Sequence, residues 1–279
     1  MAFRGEVQAL KFGARVTVPR RAMALVPEDG AYLVRLDDGG ALRGRSVIIA
    51  TGARYRRLGL ANEAAYEGLG IYYAATDLEA RACRDGEVVV VGAGNSAGQA
   101  AMFLARSARR VHLFVRGADV ARTMSRYLVA RLEYAPTVRI WTETQVREVR
   151  GNGRLSSLVC SHPGGEEEIP CRAIFVMIGA DPCTDWLREV VALDDRGFVV
   201  TGQTGINQQG VVSPYQTTLP GVFAVGDVRS GSVKRVASAV GEGSVVVQAV
   251  HGYLADLPPH REAAPAVVSA AGTSPPPTS

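Results

Sequence analysis

Gly92-Ala93-Gly94-Asn95-Ser96-Ala97 carries the clearest chemical spacing in this chain, the G-x-G-x-x-A form of a dinucleotide-binding turn. In such a turn Gly92 permits the tight bend, Gly94 lets a pyrophosphate reach bare backbone, and the small Ala97 lets the next helix pack close to its sheet. The N–H groups of Asn95 and Ser96 would open that helix and face the phosphates. The spacing alone is weak evidence, because glycine-rich turns also join strands to helices for packing alone. Its flanks add weight. Val88 to Val91 have neither helical nor alternating polarity and read as a strand buried on both faces of a parallel sheet. Residues 98–105 read as an amphipathic helix and 110–116 as a second apolar strand, which completes a βαβ unit of the expected length.

The bulk numbers set the frame for that unit. With 279 residues and 47% hydrophobic content, the chain can bury one large core or two smaller ones. The net charge of +4 comes mostly from scattered arginines. No basic block interleaved with aromatics appears, so nucleic acid is not an expected partner. The opening MAFRGEVQALKF has no apolar signal region, and no segment offers about 18 uncharged apolar residues. The expectation is a cytoplasmic protein with no membrane contact. Cys83, Cys160, Cys171 and Cys183 form no C-x-x-C and no metal spacing, and read as buried or incidental reduced thiols.

Around the βαβ unit, residues 6–12 form a short helical pattern, 15–19 a short strand, and 32–42 a hairpin turning at Asp37-Asp38-Gly39-Gly40. Residues 47–50 read as a second buried strand ending at Thr51-Gly52. Beyond the βαβ unit come a helix at 125–132, a strand at 138–141, a hairpin turning at Gly151-Asn152-Gly153, and a buried strand at 173–178 ending in Gly179-Ala180. Hairpin, strand and glycine therefore occur twice, the first time with no βαβ before them. Past Gly179 lie the segment 194–200, a polar stretch rich in Gln and Gly up to Tyr215, and a strand at 219–227 ending in Gly226-Asp227. A long helix follows at 233–254, with Gly241 and Gly243 as sites of close packing. The Pro, Ala, Ser and Thr of 257–279 cannot build a core and read as a disordered tail.

These residues carry a resemblance. From about Val7 to Leu254 the chain resembles thioredoxin reductase and its relatives among the two-dinucleotide-domain flavoproteins, and is especially similar to actinobacterial thioredoxin-reductase-like proteins, some fused behind regulatory domains. The combination that carries it is Ala50-Thr51-Gly52, the Gly92 fingerprint, Ile178-Gly179, and 221–227 ending in Gly226-Asp227, in that order. The resemblance implies an α/β fold of two Rossmann-like dinucleotide-binding domains, three-layer sheets with hairpin and meander additions. An NADPH domain (61–181) is inserted into an incomplete FAD domain (1–60 and 182–256).

The resemblance also implies roles. Asp227 matches the carboxylate that accepts a hydroxyl hydrogen bond from the flavin's ribityl chain, its alternative being a capping or turn aspartate. Arg235, Val236 and Ala237 match the start of the helix whose N–H groups point at the flavin pyrimidine, and Thr51 and Gly52 match a segment near FAD. Ile178 and Gly179 join the NADPH site. Val115 stands where an NAD-preferring fold carries an acid, and Arg116 follows it. An arginine there suits a 2′-phosphate, so NADPH is expected, with Arg122 as a second clamp. The alternative for Arg116 is a solvated charge at a strand end, and Gly117 and Ala118 stand where the family carries further cations.

Two departures shape the functional expectation. The family's redox dithiol, Cys-Ala-Thr-Cys, is matched here by Ala74-Ala75-Thr76-Asp77. Disulfide exchange needs an attacking thiolate and a second, resolving sulfur. Asp77 could donate a proton beside the flavin, although a surface carboxylate is the simpler reading. The second departure is the opening βαβ with its FAD fingerprint, which the chain as given does not contain. Val47 to Ala50 and Val222 to Val225 are accordingly expected to flank a gap in their sheet. The chain is also expected to purify without stoichiometric FAD, and 61–181 to resist proteolysis better than its flanks. Three functions fit: an NADPH-dependent flavin oxidoreductase passing electrons to a small-molecule or protein acceptor without a C-x-x-C, an NADPH-binding regulatory module without turnover, and a partial chain completed by a partner polypeptide. A homodimer is among the assemblies the resemblance allows.

Overall fold

A computed structural model describes residues 2–202 and 213–258. They divide into two compact units, the first Met1–Ala50 with Thr184–Ser279, the second Thr51–Cys183. The tail read at 257–279 lies outside the described residues from 259 onward, as does the polar stretch over 203–212.

The first unit opens with α1 (Ala2–Lys11), followed by β1 (Ala22–Glu28), β2 (Ala31–Leu36) and β3 (Ala41–Gly44), an antiparallel sheet in that order. The strand expected at 15–19 is irregular chain instead. Pro19 brings no N–H to a ladder, whereas Ala22–Glu28 has a partner one turn away, with Gly30 at φ 66° in the Asp29-Gly30 turn. Pro27 is tolerated because β1 is an edge strand. β4 (Val47–Ile49) follows. It is less buried than its sequence suggests: Ile49 is 1% exposed but Ile48 is 43% exposed.

The second unit begins with β5 (Ala53–Tyr55), β6 (Ile71–Tyr72) and α2 (Asp77–Ala82). β7 (Glu87–Val91), α3 (Asn95–Leu104) and β8 (Arg110–Phe114) form the βαβ unit, and α4 (Arg126–Glu133) leads to β9 (Val138–Trp141). The meander β10 (Gln145–Gly151), β11 (Leu155–His162) and β12 (Gly165–Pro170) precedes β13 (Ala173–Val176) and β14 (Ala180–Pro182). Five strands make a parallel sheet in the order β6-β13-β7-β8-β9. Val88 and Val90 face a cluster with Ala97, Ala101 and Leu104 of α3 and Leu128 and Leu132 of α4; Val89 faces the other side, with Phe114, Trp141 and the meander's Val149 and Leu158. Val88, Val89 and Val90 are fully buried. At roughly 1.5–3 kcal/mol for each buried side chain, this two-sided burial explains an unbroken β-branched run at the centre of the sheet.

The chain then returns to the first unit with β15 (Val222–Ala224) and α5 (Val236–Ala255). The expected gap between 47–50 and 222–225 is not there. β15 pairs directly with β4 in parallel, Val222 opposite Val47 and Ala224 opposite Ile49, and Val225 N–H donates to Ile49 O at 3.0 Å. The two strands are neighbours, so their facing backbone groups satisfy one another. The glycines of α5 also differ from expectation, since a Cβ at Gly241 or Gly243 would meet no described atom within 4 Å.

Candidate functional site: a switch-point crevice and a Gly-Asp turn

Within the second unit β7 lies between β13 and β8. The chain runs outward through β8 and β9 and returns to β13 on the other side, so the carboxyl ends of β7 and β13 form a topological switch point, the place where open parallel sheets bind ligands. Gly92 leaves β7 there at φ 149°, and a Cβ on it would stand 2.4 Å from the Met177 carbonyl oxygen. Only glycine fits. Gly94 differs, because a Cβ there would meet nothing within 4 Å; its outer face is open. Gly94 caps α3, and Asn95 and Ser96 are exposed at the first turn, where N–H groups have no intrahelical acceptor. Ala97 is fully buried, and its Cβ lies 3.0 Å from where one on Gly92 would be.

Arg116 follows the buried Val115 at the end of β8 and is exposed, as is Arg122 in the short turn Val120–Arg122. Two hydrogen bonds that the sequence did not announce join this segment to the fingerprint. Thr123 Oγ1 donates to Ala93 O at 2.8 Å, and Ser125 N–H donates to Asn95 Oδ1 at 2.8 Å. Beneath them, a Cβ on Gly98 would stand 2.5 Å from Leu128 Cδ2 and 2.7 Å from Met124 Sδ. On the β13 side Ile178 is half-buried, and Gly179, at φ 98°, accepts the Arg56 N–H at 3.0 Å.

Thr51 and Gly52 fall in the second unit, where the chain enters it. Thr51 Oγ1 donates to Cys183 O at 2.9 Å and Cys183 N–H donates to Gly52 O at 3.0 Å, so both flank the point where the chain leaves again. The residues after Gly52 and Gly179, β5 and β14, then pair antiparallel, with Arg56 and Asp181 in contact at 2.7 Å. Thr76 caps α2 through a capping box with Glu79, and Asp77 is the exposed first residue of that helix. Cys83, at the other end of α2, is 2% exposed, and burial pushes its thiol up to about 11. Cys160 and Cys171 are also buried, and burial pushes Cys171 up to about 12.

In the first unit Gly226, at φ 72°, turns the chain after β15 and presents the half-buried Asp227. The Asp227 carbonyl accepts from Lys234 Nζ at 3.1 Å, while its carboxylate takes no hydrogen bond among the described residues. Glu242 of α5 secures the turn. Its Oε2 accepts the Gly226 N–H at 2.6 Å and its Oε1 pairs with Arg229 Nη2 at 2.5 Å, with side chains 11% and 20% exposed. Burial alone would raise the Glu242 carboxyl; Arg229 and the Gly226 N–H outweigh it and hold the group below its ordinary value. Arg235 stands in extended conformation ahead of α5, and Arg235, Val236 and Ala237 are exposed at its start. Glu242 was legible only as one polar residue between two glycines of an apolar helix.

The pyridine nucleotide-disulphide oxidoreductase family matches residues 3–243. The chain belongs to that family. It is 35% identical over 240 residues to the F component of alkyl hydroperoxide reductase in Pseudomonas putida, covering 84% of this chain and 44% of that protein. It is 31% identical over 224 residues to thioredoxin reductase of Listeria monocytogenes, covering 79% of this chain and 66% of that one. The crystal structure of thioredoxin reductase from Streptococcus pyogenes superposes with a TM-score of 0.77 at 25% identity, over 92% of this chain and 80% of that one. The chain thus spans less than half the length of the alkyl hydroperoxide reductase proteins it matches. The family fits the two-unit architecture and its parallel sheet. Among the described residues no helix is long and apolar enough to cross a membrane.

The residues present fit a dinucleotide in the second unit and the ribityl and ring end of a flavin in the first. The open face of Gly94 beside exposed N–H groups leaves room for a pyrophosphate. The Asp227 carboxylate, which faces Lys234 but takes no hydrogen bond among the described residues, and the exposed start of α5 suit a hydroxyl and an electron-rich ring edge.

Proposed function

We propose that this chain binds NADPH at the switch point of its second unit and contributes to a flavin site through its first, as part of an oxidoreductase that passes electrons to an acceptor without a dithiol of its own. The observation that carries the reading is the contrast within the fingerprint: Gly92 is packed against Met177, whereas Gly94 stands open beside exposed helix N–H groups. A turn needed for packing alone would not require the second glycine. Gly94, Asn95 and Ser96 would hold the pyrophosphate, with Ile178 and Gly179 across the crevice, and Arg116 and Arg122 the 2′-phosphate. Asp227 would accept from a ribityl hydroxyl, and Arg235, Val236 and Ala237 would place helix N–H groups where reduced flavin gathers negative charge. NADPH supplies a hydride and FAD its relay when both are bound.

The acceptor would be reached by a route other than exchange at a dithiol in the segment 74–77. Ala74 and Asp77 hold no sulfur, and Cys83 is buried with its thiol pushed up to about 11, which leaves little thiolate at neutral pH. Asp77, exposed at a helix start, is the proton-donor candidate. The deciding experiment is titration of the purified chain with NADPH and NADH. Arg116→Ala should lose about 1.5–3 kcal/mol of NADPH binding, the contribution of a charge-assisted contact, with NADH barely affected. Equal losses for both would remove Arg116 from the site, and no binding of either cofactor to the parent chain would overturn the reading.

A further inference from the structure

The segment bearing Arg116 and Arg122 is exposed from Arg116 to Asp119; Thr144 N–H to Val115 O at 3.0 Å and Glu143 N–H to Gly117 O at 3.1 Å hold its start on either side of Arg116, and the short turn Val120–Arg122 follows. What ties its far end, at Arg122, to the fingerprint is a side chain outside the glycine pattern. Thr123, the residue after Arg122, donates its hydroxyl to the carbonyl of Ala93, between the two fingerprint glycines, at 2.8 Å. Two residues on, Ser125 N–H reaches Asn95 Oδ1. Asp119 Oδ1 accepts the Ala121 N–H at 2.7 Å and shapes the turn internally, without tying it to anything else.

We propose that Thr123 is a positioning residue for cofactor discrimination: its bond to Ala93 O sets the distance between the turn that holds a pyrophosphate and the Arg122 end of the segment that reads a 2′-phosphate. This rests on the reading of the crevice as an NADPH site. NADPH and NADH share the pyrophosphate and differ in the 2′-phosphate, so a displaced arginine segment weakens one and spares the other. Losing this single hydrogen bond, at an exposed position, shifts binding about three- to tenfold.

The test is equilibrium binding of NADPH and of NADH to the full chain carrying Thr123→Val, Thr123→Ala or Thr123→Ser, with Arg116→Ala alongside. Thr123→Val and Thr123→Ala should lose about three- to tenfold in NADPH affinity, with NADH within about twofold, and Thr123→Ser should retain the parent's preference. Equal losses for both cofactors would mean that the hydroxyl acts through the Ala93 peptide on the pyrophosphate turn, and would overturn the proposal. So would an unchanged preference in Thr123→Val and Thr123→Ala, or failure of serine to restore it. A parent chain that prefers NADPH, loses that preference in Arg116→Ala and keeps it in Thr123→Val defeats this inference alone. A parent chain indifferent to the 2′-phosphate defeats the underlying reading as well.

Discussion

The two units use one supersecondary pattern to different effect. Each has three antiparallel strands and then a parallel strand that leads to a glycine at positive φ: β1 to β4 run on to Gly52, just inside the second unit, and β10 to β13 to Gly179. In the second unit β13 lies between β6 and β7, and none of its residues is more than 2% exposed. In the first, β4 pairs only with β15 among the described residues, and Ile48 is 43% exposed. The same local sequence type gives a core strand where partners flank both edges and both faces, and a half-exposed strand where they do not. Stability in the second unit therefore rests on apolar packing around β7, and the Gly-Asp turn of the first on a short charged network.

The largest effect separates these two sources of order. Gly92→Ala forces a Cβ against the Met177 carbonyl at 2.4 Å and should destabilise the second unit by about 2–4 kcal/mol. Gly94→Ala, with open space around it, should leave its melting temperature unchanged while nucleotide affinity drops on the order of tenfold. Thermal melts with NADPH titrations check both. If Gly94→Ala melted as early as Gly92→Ala, the second glycine would be structural too, and the contrast between packed and open faces would collapse.

A middle-sized effect tests the first unit. Glu242→Ala leaves Arg229 without its carboxylate and removes the acceptor of the Gly226 N–H, at a cost of about 2–3 kcal/mol. Amide exchange should quicken around Gly226 and along α5 and stay unchanged in β7 and β13. Exchange rising equally in both units would show that they do not hold their order independently.

The smallest effect is a pH dependence confined to the second unit. His112 is 4% exposed; Trp141 Nε1–H donates to its Nδ1 at 3.0 Å, so Nε2 carries the ring's one proton toward Glu87 at 3.1 Å. Burial holds the imidazole below its ordinary value, and Glu87 only partly offsets that. The unfolded chain therefore takes up a proton first as pH falls below about 6.5, and the second unit loses stability from there down toward the folded-state pKa, with no contribution from His112 above that range. Denaturant melts from pH 8 down to about 5 should show this limb, and His112→Gln should flatten it. A limb that persisted in His112→Gln would assign it to carboxylates.

Much of this was legible in the sequence. Four consecutive valines specify a strand buried on both faces, because no other environment suits an unbroken β-branched run, and the G-x-G-x-x-A turn announces itself by spacing. The paired hairpin-strand-glycine order was visible for the same reason, since turn glycines and apolar runs are local signals. The β1 hairpin could have been found from Asp29-Gly30, and the strand expected at 15–19 gave too little weight to Pro19. Tertiary structure alone decided which strands are neighbours: β4 lies directly beside β15 although some 170 residues of sequence separate them, and nothing in either strand's composition names its partner. It also decided that Gly92 is packed and Gly94 open, that Thr123 reaches Ala93, and that Glu242 holds Gly226. Each of these depends on distances between residues far apart in the chain, and residue type and spacing fix conformation only over the few residues that a turn or a helix cap spans.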